Sequence, residues 1–445
     1  MRSIDWSANA AIPPCVAALL TSLRFSGGGA DLPVFSDAEW KAALYYFDRN
    51  QLTLLLESRT NALHSAGQAT LLSDALSSGS SAGSKAGCSH DWLPHKIERR
   101  LDENRAANLV RIERIKQAFA EAAGALSAAG IAFVVLKGFA NWERFSRDPP
   151  SRLQYDLDLY CPETAAEARG ALASLGYEST WGGEEFPTDH LPALARKTGW
   201  QWRGDFFDPE IPISVELHFR LWDEATEGFS APGIEAFWPR RVERRLDGLS
   251  YFALDPADAL GYTALHLLRH LLRGDVRAAN IYELAYFLDR SAADEDFWLR
   301  WHHLHGPDLR RLQAICFRLA EAWFECRMSP VARAEIIALP VAIETWFDQC
   351  AASPAAAFFR PNKDELWLHF CLLDSLPKKL AVLRRRLVPT RLPGPLDSVF
   401  IPEARMTWRL RLRKRWQYGR YVAGRGWFHA RALLPTVARM LRIRL

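Results

Sequence analysis

Apolar residues recur at intervals of three and four through residues 37–63, DAEWKAALYYFDRNQLTLLLESRTNAL, which predicts helix with Asp37 as N-cap. The whole stretch 1–75 reads as helical. A Ser/Gly-rich run at 76–89 reads as a linker. Residues 94–130 then form one long or broken amphipathic helix. The period changes at IAFVVLKG, residues 131–138, whose apolar, largely branched residues predict a buried strand turning at Gly138. FANWERFS predicts a short helix with its N-terminus toward a site. The adjacent prolines of RDPPSRLQ make a loop. QYDLDLY alternates as a strand, and ETAAEARGALASLG as a helix capped at Gly176. A meander of strands follows from Gly182, ending in PISVELHFRLW, residues 212–222. DPADALGYTALHLLRHLLRGDVRAANIYELAYFLDR gives two helices broken near Gly274, with Asp255 as cap and Pro256 at the first helical position.

The chemistry sits on these strands. Asp156 and Asp158 are two apart, so their carboxylates share one face while Leu157 and Leu159 share the other. Carboxylates side by side repel, burial worsens this, and a divalent cation such as Mg²⁺ is the usual remedy. Glu216, His218 and Arg220 lie on one face of the later strand, opposite Val215, Leu217 and Phe219. Beside Asp156, Glu216 would complete a triad of acids able to hold two metal ions. Lys137 and Arg152, near the acidic strand, could meet phosphates. His266 and His270 read as helix packing or polar lining of the cleft, because no third ligand is evident. His302, His303 and His305 read as a polar helix end. Arg273, Arg277 and Glu283 are expected near the same site.

Composition adds bounds. The chain has 445 residues, enough for two or three domains, and a net charge of +4, which is no global nucleic-acid signature. Seven scattered cysteines without C-x-x-C fit a reducing cytosol, and no apolar run is long enough to span a membrane. From Lys378 onward the chain is strongly basic, with interleaved Trp, Tyr, Phe and Leu. That region suits an anionic membrane surface or a protein partner, packing on the core, or, less favoured, single-stranded nucleic acid. The expected location is cytoplasmic, with membrane-peripheral attachment as a variant.

Lys137-Gly138, Arg152, Asp156-Leu157-Asp158-Leu159, Leu175-Gly176-Tyr177 and Val215-Glu216-Leu217-His218 together resemble the uncharacterised bacterial nucleotidyltransferase family of the polymerase-β superfamily, over residues 40–290. The resemblance implies an α+β fold: a small mixed β-sheet nucleotidyltransferase core with extensive flanking helical regions. The expected regions are 1–93, helical; 94–225, the core; 226–345, helical; and 346–445, helical and basic. It implies Asp156, Asp158 and Glu216 as catalytic and metal-binding residues, and Lys137, Gly138, Arg152 and His218 as nucleotide contacts. Mg²⁺, or Mn²⁺, is the expected cofactor and an NTP, ATP foremost, the donor. The acceptor stays open among small molecules, sugars, peptides and protein side chains. Two departures stand out: Phe139 where the superfamily has Ser or Gly, and Glu216 where the family usually has Asp. They leave a nucleotide-binding scaffold as an alternative, and the basic tail leaves a nucleic-acid-acting transferase.

Overall fold

The structure is a computed structural model that describes residues 3–26, 35–56, 92–180, 189–387, 400–402 and 405–444. The expected linker at 76–89 lies outside the described residues. Helices α1 (Pro14–Ser22) and α2 (Asp37–Arg49) precede α3 (Trp92–Ala128). Strand β1 (Val134–Val135), a short helical turn, β2 (Asp156–Tyr160), α4 (Ala165–Ala173), β3 (Glu178–Ser179), β4 (Leu194–Ala195) and β5 (Ser214–His218) follow. The hairpin β6 (Val242–Leu246) and β7 (Leu249–Ala253) closes the sheet region. Then come α5 (Pro256–Arg273), α6 (Ala278–Arg290), α7 (Glu295–Leu304), α8 (Pro307–Phe324), α9 (Pro330–Ile337), α10 (Val341–Cys350), α11 (Asp364–Leu372), α12 (Leu376–Leu387) and α13 (Trp408–Arg444).

The strands make one mixed sheet in the order β3-β4-β5-β2-β1-β7-β6. Alternation decides which way each side chain faces. Leu157, Leu159, Val215 and Leu217 pack against Phe119 and Leu126 of α3 and Ala168 and Leu172 of α4. Burying each of these sheet side chains is worth about 2 kcal/mol. Val134, Leu136 and Tyr160 face the opposite way, into a second core built from α5, α6 and α8 together with α1 and α2. The expected α+β architecture is present, and both faces of the sheet are covered.

The β6–β7 hairpin lies beyond the residue-225 edge expected for the core. Its two-residue turn is Asp247-Gly248, with φ of 49° and 85°, the geometry that matches strand twist in hairpins. The Asp-Gly signal is plain in the sequence. The polar run VERRL hid the strand, because an outer strand can be polar. Arg244 in β6 donates to the Ala140 carbonyl at 3.0 Å and so braces the turn after β1.

That turn depends on Gly138. Its φ is +72°, and an added Cβ would sit 2.3 Å from Gln154 Nε2. Gln154 is held there by donating to the Asp156 carbonyl at 2.7 Å. Gly138→Ala should therefore lose about 2 kcal/mol of unfolding free energy. In denaturant melts, adding Gln154→Ala to that variant should recover only part of the loss, because it removes the clash and leaves the backbone strain.

Candidate active site

Strands β2 and β5 run parallel and in register, so Asp158 stands opposite Glu216. The polar face of this pair forms the floor of a cleft whose lining includes Lys137, Asp156 and Glu216. Asp158 is 2% exposed, too deep for water to stabilise its charge. Leu136 donates its backbone N–H to the Asp158 carbonyl at 3.1 Å, which brings the next residue over the carboxylate. The Lys137 ammonium donates to Asp158 Oδ1 and to His266 Nε2, both at 3.1 Å.

His218 lies beneath the floor. It is fully buried, with Nε2 3.2 Å from Asp158 Oδ1 and Nδ1 3.6 Å from Asp189 Oδ2. Asp189 is ion-paired to Arg269 of α5. The His218 ring, expected as a nucleotide contact, has no exposed surface and steadies Asp158 from behind. Gly138 is likewise buried below the cleft, where its work is backbone geometry. The expected helix N-terminus after it is a four-residue 3₁₀ turn followed by a single α-turn. Neither aligns enough peptide dipoles to make an anion site. Phe139 packs on Phe119 at 4.7 Å and Tyr251 at 5.5 Å, so its departure from the family pattern serves the core.

The electrostatics follow from burial against partners. Burial opposes the Asp158 charge, yet Lys137 and His218 outweigh it and hold the carboxyl well below its usual range. Burial and then the Asp158 charge push Glu216 up. Burial disfavours the Lys137 ammonium, but Asp158, Asp156 and Glu216 together raise its pKa. Burial, reinforced by Lys137, holds His266 well below its normal value, so it is a neutral acceptor for that ammonium.

The facing wall is α5. Tyr262, His266, Arg269, His270 and Arg273 recur three and four apart and all line the cleft. The favoured polar-lining reading of His266 and His270 matches this placement. Arg152 pairs with Glu283 at 2.9 Å, and Arg273 donates to Glu227 at 2.9 Å. Arg277 also lines the cleft and, among the described residues, makes no ion pair. His190 and Asp189 had no sequence signal and are placed by the packing of distant segments, whereas Tyr262 stands one helical turn before His266. In the other histidine cluster His305 is buried 3.0 Å from Asp258 Oδ1, while His302 and His303 are exposed.

The residues fit a divalent cation. Single ligand atoms of Asp158, Glu216 and His218 lie within 4.8 Å of one another. Among the described residues, Glu216 has no hydrogen-bond donor of its own beyond the distant His218, at 3.8 Å. With His218 bonded to Asp158, the hard oxygen atoms of Asp158 and Glu216 suit Mg²⁺ or Mn²⁺. Asp156, expected as a ligand, lines the cleft but stands outside this close set.

A family model described as an uncharacterised nucleotidyltransferase matches residues 36–325, about two thirds of the chain, ending as α8 ends. No curated protein and no solved structure matches the chain.

Lys137 thus occupies the position of a counter-ion. Lys137→Met leaves His218 as the one remaining partner described for Asp158 and should cost about 3 kcal/mol of stability. Added Mn²⁺ should raise the melting temperature of this variant more than that of the parent, read by scanning fluorimetry. Equal shifts would show that cation and ammonium do not compete.

Proposed function

Since the chain belongs to the uncharacterised nucleotidyltransferase family, we propose that it transfers an NMP group from an NTP, ATP foremost, to an acceptor hydroxyl, releasing pyrophosphate. The observation that carries this reading is the in-register Asp158–Glu216 pair behind a cleft that Glu216 and Asp156 line and that has a cationic wall. Asp158 and Glu216, with Asp156 at the cleft edge, would hold Mg²⁺ or Mn²⁺. When bound, the ion would neutralise charge on the NTP phosphates and polarise them toward attack.

The remaining roles belong to side chains. Arg152, fixed by Glu283, and Arg277, without an ion pair among the described residues, would receive phosphate oxygens, with Lys137 beside them. The acceptor oxygen attacks the α-phosphorus, a new P–O bond forms, and the bond to the β-phosphate oxygen breaks. Glu216, beside the cation, is the group that would take the acceptor proton. His218 and Asp189 keep Asp158 oriented. A cytoplasmic setting goes with this chemistry, as does the free-thiol state of the described cysteines.

The scaffold alternative loses one of its motives, because Phe139 is accounted for by packing. In assays with α-labelled NTP, Mg²⁺ and cell extract as acceptor source, Asp158→Asn and Glu216→Gln should each lower label transfer by roughly 10³-fold. Tight NTP binding with no transfer by the parent protein would support the scaffold instead. Arg277→Ala should raise the KM for NTP about tenfold with kcat little changed, as expected of a contact made equally in ground and transition states.

A further inference from the structure

Helix α13 lies outside the family match and outside the chemistry above. Its 37 residues span about 55 Å. Their sequence holds eleven Lys and Arg and no Asp or Glu. One face is docked. Thr436 accepts from the Lys363 backbone N–H at 2.9 Å and donates to Asp364 at 3.1 Å, and Arg439 pairs with the same carboxylate. Ala432 and Lys414 are buried on that side, and Lys363 sits over the Phe428 ring.

The opposite face is apolar and uncovered. Trp408, Leu412, Trp416, Trp427, Leu434 and Val437 are each between 47% and 78% exposed. At 3.6 residues per turn these six fall within an arc of about 100°. Small residues, Gly419, Ala423, Gly426 and Ala430, fill most of the gaps between them. Arginines flank every tryptophan of the stripe: Arg409 over Trp408 at 5.4 Å, Arg420 over Trp416 at 4.7 Å, and Arg431 over Trp427 at 5.3 Å.

We propose that α13 is an interfacial helix that holds the protein against an anionic lipid bilayer, lying along its surface. The chemistry selects this occupant. An aromatic and aliphatic stripe edged by guanidinium groups matches acyl chains below charged headgroups. A second copy of the helix would bring eleven more cations and no anion to meet them. Nucleic acid would use the tryptophans and arginines but leave Leu412, Leu434 and Val437 in water. No helix of the described residues is long and apolar enough to cross a membrane, so the contact is along the surface.

The test is flotation of the full-length chain with vesicles of phosphatidylcholine alone, or of an equimolar mixture with phosphatidylglycerol. The protein should float with the anionic vesicles only and be released by high salt. Exchanging Arg409, Arg420 and Arg431 together for Gln should weaken partitioning by roughly a hundredfold, about fivefold per cation. Exchanging Trp408, Trp416 and Trp427 together for Ser should abolish it without lowering the melting temperature, because these side chains face away from the core. The proposal is overturned if folded protein ignores anionic vesicles, or if the tryptophan variant floats as well as the parent. It is also overturned if single-stranded RNA binds more tightly than vesicles. A dimer in light scattering that disappears in the tryptophan variant would assign the face to a second copy instead.

Discussion

The structure turns on keeping one carboxylate charged where water cannot reach it. Asp158 is buried in the middle of the sheet, and an uncompensated charge there would cost several kcal/mol. Lys137 answers it from above and His218 from below. Each answer recruits further parts of the fold. Lys137 is delivered by the pairing of β1 with β2 and by the turn at Gly138, and its second bond reaches His266 on α5. His218 is backed by Asp189, whose partner Arg269 is also on α5. Sheet and helix are therefore fastened to each other through the site itself.

The cleft has an acidic floor and a basic wall, and the two are prepared differently. Around the cleft, Arg152 and, on the wall, Arg269 and Arg273 are each held by a carboxylate that is itself largely buried. Their fork geometry is set before any ligand arrives, which lowers the ordering cost of binding. On the floor, Glu216 is left with raised proton affinity and little hydrogen bonding. Such a group gains most from a cation. Preorganised donors facing an undersatisfied acid suit polyphosphate with its metal better than they suit a neutral ligand.

Much of this was legible in the sequence, and the limits have physical causes. The two-residue spacing of Asp156 and Asp158 fixed their shared face, and alternation in SVELH put Glu216 on the matching side. Strand alternation is local, so it can be read locally. The burial of His218 could not be read, because it is imposed by the 189–190 segment and α5 closing over the ring. Asp156 separates from the close ligand set because the register sets it opposite Ser214 and sets Asp158 opposite Glu216. The basic tail gave three readings because one helix carries both a docking face and an exposed stripe. Only the position of Asp364 against Thr436 and Arg439 shows which face is which.

The parallel pairing of β2 with β5 has a consequence for how the chain comes together. Parallel neighbours cannot meet through a tight turn, and here more than fifty residues separate Asp158 from Glu216. The mutual repulsion of the two acids is thus absent from every early, local intermediate. It arises only when the long crossover closes and β5 slots beside β2. That step combines a large loop-closure entropy with like-charge approach in a drying interior. A divalent ion present at that moment would act on the rate of folding as well as on the finished catalyst.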